Sequence, residues 1–392
     1  MDLRRFVAVL AAVVVLLLDM VSLSFGNIVF DVRHKFAGRE CSLSALKAHD
    51  ALRHRRILSA VDLPLGGNGH PADAGLYFAK IGLGNPSNEY YVQVDTGSDI
   101  LWVNCANCKR CPTKSDLGVK LTLYDPKSSD SSSMIYCNDN FCTSTYNGIL
   151  PGCTKGVPCQ YSVSYGDGST TTGFFVKDSV NFDRVIGNHQ TASANGTIIF
   201  GCGAQQSGEL GTSSEAVDGI LGFGQANSSM ISQLASAGKF KKMFAHCLDN
   251  TNGGGIFAMG EVISPKVNTT PMLPNQSHYN VAMKNIEVGG AVLQIPTDTL
   301  DTGDQKGTII DSGTTLAYFP GVVYETMMNK ILEQQPGIKL HTVEQQFSCL
   351  RFNANVDDGF PVVKFHFEES LTLTVYPHDY LFQNGVSVTI RN

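Results

Sequence analysis

The sequence predicts an all-β protein built from two similar halves. Glycine is abundant, with 39 residues in 392, and short β-branched and aromatic runs recur between turn-forming residues, which is typical of β-sheet proteins. The pattern Asp-(Thr/Ser)-Gly follows a strand-like run at Asp95 and again at Asp311, one copy in each half. A repeat of this kind indicates an internal duplication, and a chain of this length can bury two separate cores.

The duplicated tripeptide carries the chemistry that we predict for the chain. One copy alone is a common turn sequence, but two carboxylates held about 3 Å apart cannot both ionise and therefore share one proton. The ionised member can take a proton from a water, and the protonated member can donate a hydrogen bond to a carbonyl. Asp95 and Asp311 are therefore the predicted catalytic residues. The hydroxyl residues expected to hold the two carboxylates are Thr96, Ser98, Ser312 and Thr314.

At these residues the chain resembles the pepsin-like aspartic proteases. The resemblance implies a bilobal fold with the active-site cleft between two β-rich lobes. It also implies an endopeptidase that cuts peptide or protein substrates at acid pH without a cofactor or a covalent intermediate. Gly97, Gly313 and Thr314 are expected along the substrate, because glycine leaves room for close approach of a backbone. We expect a monomer.

The start of the chain predicts entry into the secretory pathway. A thirteen-residue apolar run from Phe6 to Leu18 is followed by small residues, and such a run is short for a bilayer span. We interpret residues 1–26 as a signal peptide, with a retained membrane anchor as the alternative. No later run reaches the length of a membrane span, so the mature protein is expected to be extracellular (cell wall or apoplast) or vacuolar.

Residues 27–75 are rich in basic residues, whereas the chain as a whole has a net charge of −6. Ser44 to Leu58 has helical spacing and predicts a helix. We interpret 27–75 as a propeptide that lies over an acidic cleft and is loosened by acid. The resemblance, which implies a zymogen, is the main support, and a solvated helix or linker is the alternative. Leu63 to Gly75 is the predicted processing region.

The body is predicted to comprise an N-terminal lobe, residues 76–265, with a cysteine-rich insertion at 105–159, and a C-terminal lobe, residues 266–392. The insertion resembles that of the plant nepenthesin-type subgroup. Cys-x-x-Cys spacing can also indicate a metal site, but secretion favours disulfides, whose pairing the sequence does not determine. The candidate disulfide cysteines are Cys105, Cys108, Cys111, Cys137, Cys142, Cys153, Cys159, Cys202, Cys247 and Cys349.

Two further segments fit the resemblance. Strand-like alternation leads into Tyr165, and Gly-Asp-Gly behind it predicts a β-hairpin tip. The resemblance makes this hairpin the flap over the cleft, with Tyr165 covering the substrate and Trp102, the only tryptophan, packed beside it. Ile220-Leu221-Gly222 resembles the apolar segment that runs next to the catalytic loop of the first lobe. An ordinary hairpin with an exposed tyrosine is the alternative for the flap.

The sequence departs from the family after Asp311. We find no second apolar-apolar-Gly segment there, so we expect an incomplete C-terminal lobe, and we expect Cys349, and Cys202 or Cys247 with it, to lack a disulfide partner. A catalytically inactive secreted binding protein on the same scaffold is therefore the alternative function. We predict no nucleic-acid partner, because no basic patch with interleaved aromatics is present. We predict no bound metal, because the ten histidines include no His-x-x-x-His pair on a convincing helix. The predicted glycosylation sites are Asn195, Asn227, Asn268 and Asn275.

Overall fold

The computed structural model describes residues 63–68, 76–185, 191–239, 241–249, 253–260, 267–303, 306–343, 347–384 and 387–391. The predicted signal peptide and the predicted helix at Ser44 to Leu58 lie outside these ranges. The described residues form a mostly β structure, which confirms the predicted fold class. They divide into two compact units, one comprising residues up to Val94 and Asp99–Ser264, the other Asp95–Ser98 and Pro265–Asn392.

The described residues of the first unit form eleven strands. They are β1 (Leu63–Asn68), β2 (Leu76–Leu83), β3 (Asn88–Asp95), β4 (Leu101–Lys109), β5 (Ser133–Met134), β6 (Gln160–Ser164), β7 (Thr170–Val185), β8 (Thr191–Ser207), β9 (Gly219–Gly222), β10 (Phe244–Leu248) and β11 (Gly255–Met259). Its helices are short: α1 (Asn140–Thr145), α2 (Glu209–Thr212), α3 (Met230–Ser236) and a 3-10 turn at Pro126–Ser128.

These strands form one sheet in the order β10-β11-β1-β2-β3-β9-β4-β8-β7-β5, with β6 paired to β7. Strand β9 is fully buried and pairs antiparallel with β4, Trp102 lying opposite Ile220. A Cβ at Gly222 would lie 2.5 Å from the backbone nitrogen of Ile100, so only glycine permits this close approach. Ile220-Leu221-Gly222 therefore lies next to the residues that directly follow the first Asp-Thr-Gly loop, as predicted.

Apolar side chains that alternate along the strands build the core of the first unit. In β2, Tyr77, Ala79, Ile81 and Leu83 are buried in this core, and Val92 and Val94 of β3 are buried in it as well. A second cluster forms around Trp102, Tyr161 and Phe175 and includes cysteines of the insertion. Short helix α3 begins where the Ser229 side chain accepts a hydrogen bond from the Ser232 amide, as helix N-caps commonly do.

Eight of the ten candidate cysteines form four disulfides. The pairs are Cys105–Cys202, Cys108–Cys111, Cys137–Cys153 and Cys142–Cys159. The expectation that Cys202 could lack a partner is wrong, because β4 runs parallel to β8 and brings Cys105 to it. Cys247 is an exposed free thiol, and Cys349 is buried and belongs to none of these four bridges.

The second unit contains smaller sheets. Its strands are β12 (Asn280–Val281), β13 (Met283–Val288), β14 (Ala291–Val292), β15 (Thr308–Ile309), β16 (His341–Val343), β17 (Phe347–Arg351), β18 (Val363–Phe367), β19 (Thr372–Val375), β20 (Phe382–Asn384) and β21 (Ser387–Arg391). The sheet orders are β12-β15, β14-β13-β18-β19 and β16-β17-β21-β20. The helices are α4 (Gly321–Leu332), α5 (Val356–Gly359), α6 (Pro377–Tyr380) and a 3-10 turn at Glu368–Ser370.

Helix α4 covers the core of the second unit. Its buried residues Val323, Met327, Met328 and Ile331 recur with helical spacing and pack with Ile286 of β13 and neighbouring apolar residues. None of the helices in the described ranges is both long and apolar enough to cross a membrane.

Candidate active site

The first Asp-Thr-Gly loop follows β3 and turns back on its own carboxylate. The Gly97 amide donates a hydrogen bond of 2.8 Å to Oδ1 of Asp95, and the Ser98 hydroxyl donates one to Oδ2. Both carboxylate oxygens therefore have a donor from the same loop. Asp95 is only 5% exposed, so the loop holds a nearly buried acid in a fixed orientation.

The second loop follows β15 and repeats this arrangement. The Gly313 amide donates to Oδ1 of Asp311 over 2.7 Å, and the Thr314 hydroxyl donates to Oδ2 over 2.5 Å. In both loops the amide comes from two positions after the aspartate and the hydroxyl from three positions after it. The duplication inferred from the sequence thus extends to the hydrogen bonds of the carboxylates.

The two loops contact each other within the second unit, to which Asp95–Ser98 belongs. The hydroxyl of Thr96 accepts a hydrogen bond of 2.8 Å from the Ser312 amide and donates one of 3.4 Å to the carbonyl of Ile310. Thr96 is buried. A single hydroxyl from the first loop therefore satisfies two backbone groups of the second loop, one on each side of Asp311.

The glycines allow the carboxyl groups to approach. A Cβ at Gly97 would lie 2.5 Å from Oδ2 and 2.7 Å from Cγ of Asp311, and a Cβ at Gly313 would lie 2.7 Å from Cγ of Asp95. Each glycine thus faces the carboxyl group of the opposite loop, where no other residue would fit without displacing it. The structure brings together Asp95, Thr96, Gly97, Ser98, Asp311, Ser312, Gly313 and Thr314, the predicted residues of the two loops.

The environment of the pair favours a shared proton. The pKa of Asp95 is raised to about 6, mainly by burial and to a smaller extent by the charge of Asp311 and a hydrogen bond between the two carboxyl groups. Hydrogen bonds from Ser98 and Gly97 act in the opposite direction. Two carboxyl groups in such contact hold one proton between them over a range of acid pH, and that proton belongs to the pair and not to one residue.

The predicted flap is a β-hairpin of the first unit. Strands β6 and β7 pair from Gln160↔Phe174 to Ser164↔Thr170, and at the tip the Tyr165 amide donates to the carbonyl of Ser169 over 2.9 Å. The indole N–H of Trp102 donates to the Tyr165 hydroxyl over 2.7 Å. This bond fixes the direction of the Tyr165 ring. The location of the hairpin over the substrate stays a prediction.

Sequence reasoning missed the role of Asp218. Its side chain accepts hydrogen bonds from the amides of Tyr91 on β3 (2.7 Å) and Thr122 (2.6 Å), and its own backbone bonds to Tyr91 and Asn104. It is 1% exposed, and burial raises its pKa to about 7 against the effect of the two amide donors. The sequence held one signal for this role: Asp218 stands directly before the apolar segment that forms the buried strand β9.

The second loop lacks the strand support that β9 gives to the first unit. Among the described strands, β15 pairs only with β12, and Ile309 and Ile310 are 48% and 47% exposed. No apolar-apolar-Gly strand runs beside β15 in the described residues. The four predicted glycosylation asparagines are all exposed. No group of three or more His, Cys, Asp or Glu suited to a metal ion occurs in the described part of the chain.

Two family models match the chain. The model described as "Xylanase inhibitor N-terminal" matches residues 77–261, and the model described as "Xylanase inhibitor C-terminal" matches residues 278–389. Solved structures with the same fold include basic 7S globulin from soybean, with a TM-score of 0.64 and 20% identity, covering 85% of this chain and 87% of that chain. Conglutin gamma from lupine seeds has a TM-score of 0.62 and 16% identity, covering 83% of this chain and 84% of that chain.

Curated relatives are aspartic proteinases of plants. Aspartic proteinases 36 and 39 of Arabidopsis thaliana are 54% and 49% identical over 382 residues, which cover 97% of this chain and 78% of each relative. Aspartic proteinase nepenthesin-2 of Nepenthes gracilis is 30% identical over 290 residues, covering 71% of this chain and 60% of that relative. With its paired Asp-(Thr/Ser)-Gly loops, the chain belongs to the pepsin family of aspartic proteases, in the group that carries the xylanase-inhibitor type of N- and C-terminal domains.

Proposed function

We propose that this protein is an aspartic endopeptidase that hydrolyses peptide bonds at acid pH with a water activated by Asp95 and Asp311. The observation that carries the proposal is the contact between two matching loops, each of which orients its carboxylate with its own amide and hydroxyl. A structural aspartate does not need a second carboxyl group against it, because that contact raises the energy of the ionised form.

In the proposed reaction the pair acts as both base and acid. The ionised carboxylate removes a proton from the water, whose oxygen bonds to the carbonyl carbon of the substrate. The protonated carboxyl group donates to the carbonyl oxygen, and breakdown of the tetrahedral species breaks the C–N bond after the nitrogen takes a proton. No covalent enzyme intermediate forms.

The substrate is proposed to be a peptide or protein bound in an extended conformation. Gly97 and Gly313 place no side chain beside the carboxyl pair, and extended peptides bind through main-chain hydrogen bonds with alternating side chains in pockets. Tyr165 is proposed to cover the substrate from the flap. Its hydroxyl, held by Trp102, would then keep the ring in place while the hairpin opens and closes.

The test is cleavage of a denatured protein at pH 3–5, with and without pepstatin. We expect pepstatin-sensitive cleavage by the native chain, and a loss of at least about 10³-fold in Asp95→Asn and in Asp311→Asn, since each substitution removes the shared proton chemistry. Asp298→Asn, at an exposed site of the second unit, is the matched control and should cleave normally. Pepstatin-sensitive cleavage that persists in both dyad variants would refute the assignment.

A non-catalytic binding protein is the second candidate, and the descriptions of both matching family models favour it. The protein would then bind and inhibit a xylanase without cutting it. Purified Asp95→Asn protein, added to a xylanase assay, separates the two functions. Inhibition that is equal for the native chain and the variant, without proteolysis by either, supports the binding function.

The protein is further proposed to be a secreted, glycosylated monomer made as a zymogen in the plant secretory pathway, then extracellular or vacuolar. The apolar run near the start and the exposure of the predicted asparagines support this. Expression in plant cells with detection in wall and vacuole fractions, and a mass shift on enzymatic deglycosylation, test it. Retention in the cytosol without glycan would contradict it.

A further inference from the structure

A small cavity of the first unit lies between the turn that joins β2 to β3 and the segment from Leu123 to Ser129. It encloses about 120 Å³. A single buried water needs only about 10–15 Å³, and a cavity of roughly 150 Å³ can take a six-membered ring. Tyr90, which lines the cavity, stands five residues before Asp95 in the chain, or about 17 Å along an extended strand. The cavity is therefore large enough to take much of a small ring compound, and it is separate from the carboxyl pair.

Hydrogen bonds hold the two walls of this cavity in place. The Asn85 amide of the β2–β3 turn donates to the Ser129 hydroxyl over 2.9 Å, which joins one wall to the other. Within the second wall, the Asp125 carboxylate accepts from the Lys127 amide over 2.9 Å and from the Ser128 hydroxyl over 3.0 Å. The folded chain thus shapes the cavity by itself, and a preformed site avoids the cost of ordering its walls on binding.

The hydroxyl of Tyr90 has no hydrogen-bond partner among the described residues. Its side chain lines the cavity and is 1% exposed, and its ring packs edge-on against Tyr124, with the ring centroids 6.2 Å apart. The hydroxyl of Tyr124, in contrast, donates to the Asp178 carboxylate over 2.6 Å. Because an unpaired polar group inside a protein is costly, the Tyr90 hydroxyl points to a ligand that forms hydrogen bonds in the cavity.

The charges around Tyr90 restrict the chemistry of that ligand. Burial raises the pKa of the Tyr90 hydroxyl, and so do the charges of Asp218, Asp178 and Asp125. The hydroxyl therefore stays protonated and needs an acceptor, which an ammonium ion does not offer. An anion offers acceptors but is repelled by these acids, and the described residues that line the cavity include no Lys, Arg or His. A neutral molecule with hydroxyl groups satisfies both conditions.

We propose that this cavity binds the ring of a neutral pyranose sugar. The Tyr90 hydroxyl donates to one sugar oxygen, and the Asp125 carboxylate accepts from a sugar hydroxyl, since a carboxylate can only accept. The side-chain amide of Asn88, which also lines the cavity, can do both. A sugar hydroxyl both donates and accepts, so one ring can satisfy all three groups.

Apolar residues of the cavity fit the C–H face of such a ring. Leu83, Pro86 and Leu123 line it, and Leu123 is 46% exposed although its side chain is large and apolar. Binding sites for small molecules commonly combine apolar walls with a few polar groups that orient the ligand. The cavity therefore offers a pyranose both the apolar and the polar contacts that it needs, at a distance from the carboxyl pair.

The experiment is an NMR titration of Asp95→Asn protein at neutral pH with methyl β-D-glucopyranoside and methyl β-D-xylopyranoside. We expect at least one of them to bind with a Kd in roughly the millimolar range, as for other ligands of this size. Adding Tyr90→Phe should weaken binding about 10-fold, the value of one good hydrogen bond. Tyr91→Phe, on the next residue of β3 and so on the opposite face of the strand, is the matched control and should bind as its parent does.

Two charged probes test whether the ligand is neutral. Methyl α-D-galacturonoside, a pyranoside with a carboxylate, and 1,4-diaminobutane, a diammonium ion, should each bind at least about 10-fold more weakly than the neutral pyranosides. The proposal is overturned if either charged probe binds more tightly, if Tyr90→Phe binds as Tyr91→Phe does, or if neither pyranoside binds at up to about 100 mM.

The thermal midpoint of Tyr90→Phe separates binding from a structural role. Its hydroxyl has no partner among the described residues, so without sugar the midpoint should stay within about 2 °C of the parent value. A much lower midpoint would show that the hydroxyl serves the fold and would overturn the proposal. Since all of these measurements use Asp95→Asn protein, their outcome is independent of the proposed endopeptidase activity.

Discussion

Replacing Asp218 with asparagine should remove a large part of the pH dependence of stability in the first unit. The carboxyl group is buried and accepts two backbone amides, from Tyr91 and Thr122. Burial raises its pKa to about 7, compared with 3.8 for an ordinary aspartate, and the two amide hydrogen bonds only partly offset this effect. Folding therefore favours the protonated carboxyl group over the carboxylate.

The magnitude follows from the difference between the two pKa values. About three pKa units, at about 1.4 kcal/mol each, correspond to about 4 kcal/mol. For a group whose pKa is raised on folding, this stability is fully present below the unfolded pKa near 4 and is lost as the pH rises through 7. The native first unit should thus be about 4 kcal/mol less stable at pH 8 than at pH 4, from this group alone.

Asparagine cannot ionise, so Asp218→Asn should show a nearly flat profile between pH 4 and pH 8. It has one acceptor oxygen for two amides, and a buried unsatisfied donor costs about 1–3 kcal/mol, so the variant should be less stable than the native chain at pH 4. Urea unfolding measures this through Trp102, the only tryptophan, which lies opposite Ile220 of β9.

The measurement belongs in an Asp95→Asn background, because the pKa of Asp95 is also raised and contributes with the same sign. Asp130→Asn, at an exposed site of the same unit, controls for the loss of one carboxylate and should keep the slope of the parent. If Asp218→Asn unfolds with the same pH dependence as its parent, the buried carboxyl group is not the source of that dependence.

Three further substitutions address the site. Ser98→Ala removes a hydrogen bond that lowers the pKa of Asp95, so the basic limb of the kcat/KM profile, expected near pH 6, should move to higher pH. Gly97→Ala places a Cβ against the opposite carboxyl group and should lower kcat by about 10²-fold or more, because small displacements of reacting groups are costly. Tyr165→Phe leaves the buried N–H of Trp102 without the hydroxyl acceptor, so the first unit should lose about 1–3 kcal/mol and kcat/KM should fall.

Matched controls exist for each of these variants. Ser144→Ala, on the exposed side of α1, should leave the pH profile unchanged, and Gly337→Ala, whose Cβ meets no atom within 4 Å, should keep full activity. Tyr146→Phe removes a hydroxyl that donates to the carbonyl of Gln160 at the base of the same hairpin, and it should leave kcat/KM unchanged. The argument for Ser98 would be contradicted if the basic limb of the kcat/KM profile moved to lower pH in Ser98→Ala. The arguments for Gly97 and Tyr165 would be contradicted if Gly97→Ala or Tyr165→Phe were as active as its control.

The strands and the paired loops could be predicted because their signals are local. Alternating burial in β18 follows directly from apolar residues at every second position. The Asp-(Thr/Ser)-Gly pattern is visible in the sequence itself, at Asp95 and again at Asp311. A hairpin tip such as Tyr165 to Ser169 is likewise encoded by adjacent glycines and an aspartate.

What the sequence could not provide depends on distant parts of the chain. Cys105 and Cys202 lie 97 positions apart, and they meet only because β4 and β8 run parallel. The β1 segment looked like a linker because glycine serves both flexibility and close packing, and the neighbours that distinguish the two uses are Phe78 and Leu76. The role of Asp218 could not be predicted, because its two amide donors, Tyr91 and Thr122, are distant from it in the sequence.

The two aspartate loops share one pattern of hydrogen bonds but depend on different supports. Behind the first loop, Asp99 accepts the amide of Ala226 and its backbone lies against Gly222 of the buried strand β9. Before the second loop, β15 has two residues and is followed by the half-exposed Ile310. The Thr96 hydroxyl bonds to backbone groups on both sides of Asp311. The first loop therefore helps to hold the second loop in place, where the second loop has little strand support of its own. Stability of the carboxyl pair is therefore a property of both loops together, and weakening the first loop should disturb Asp311 as much as Asp95.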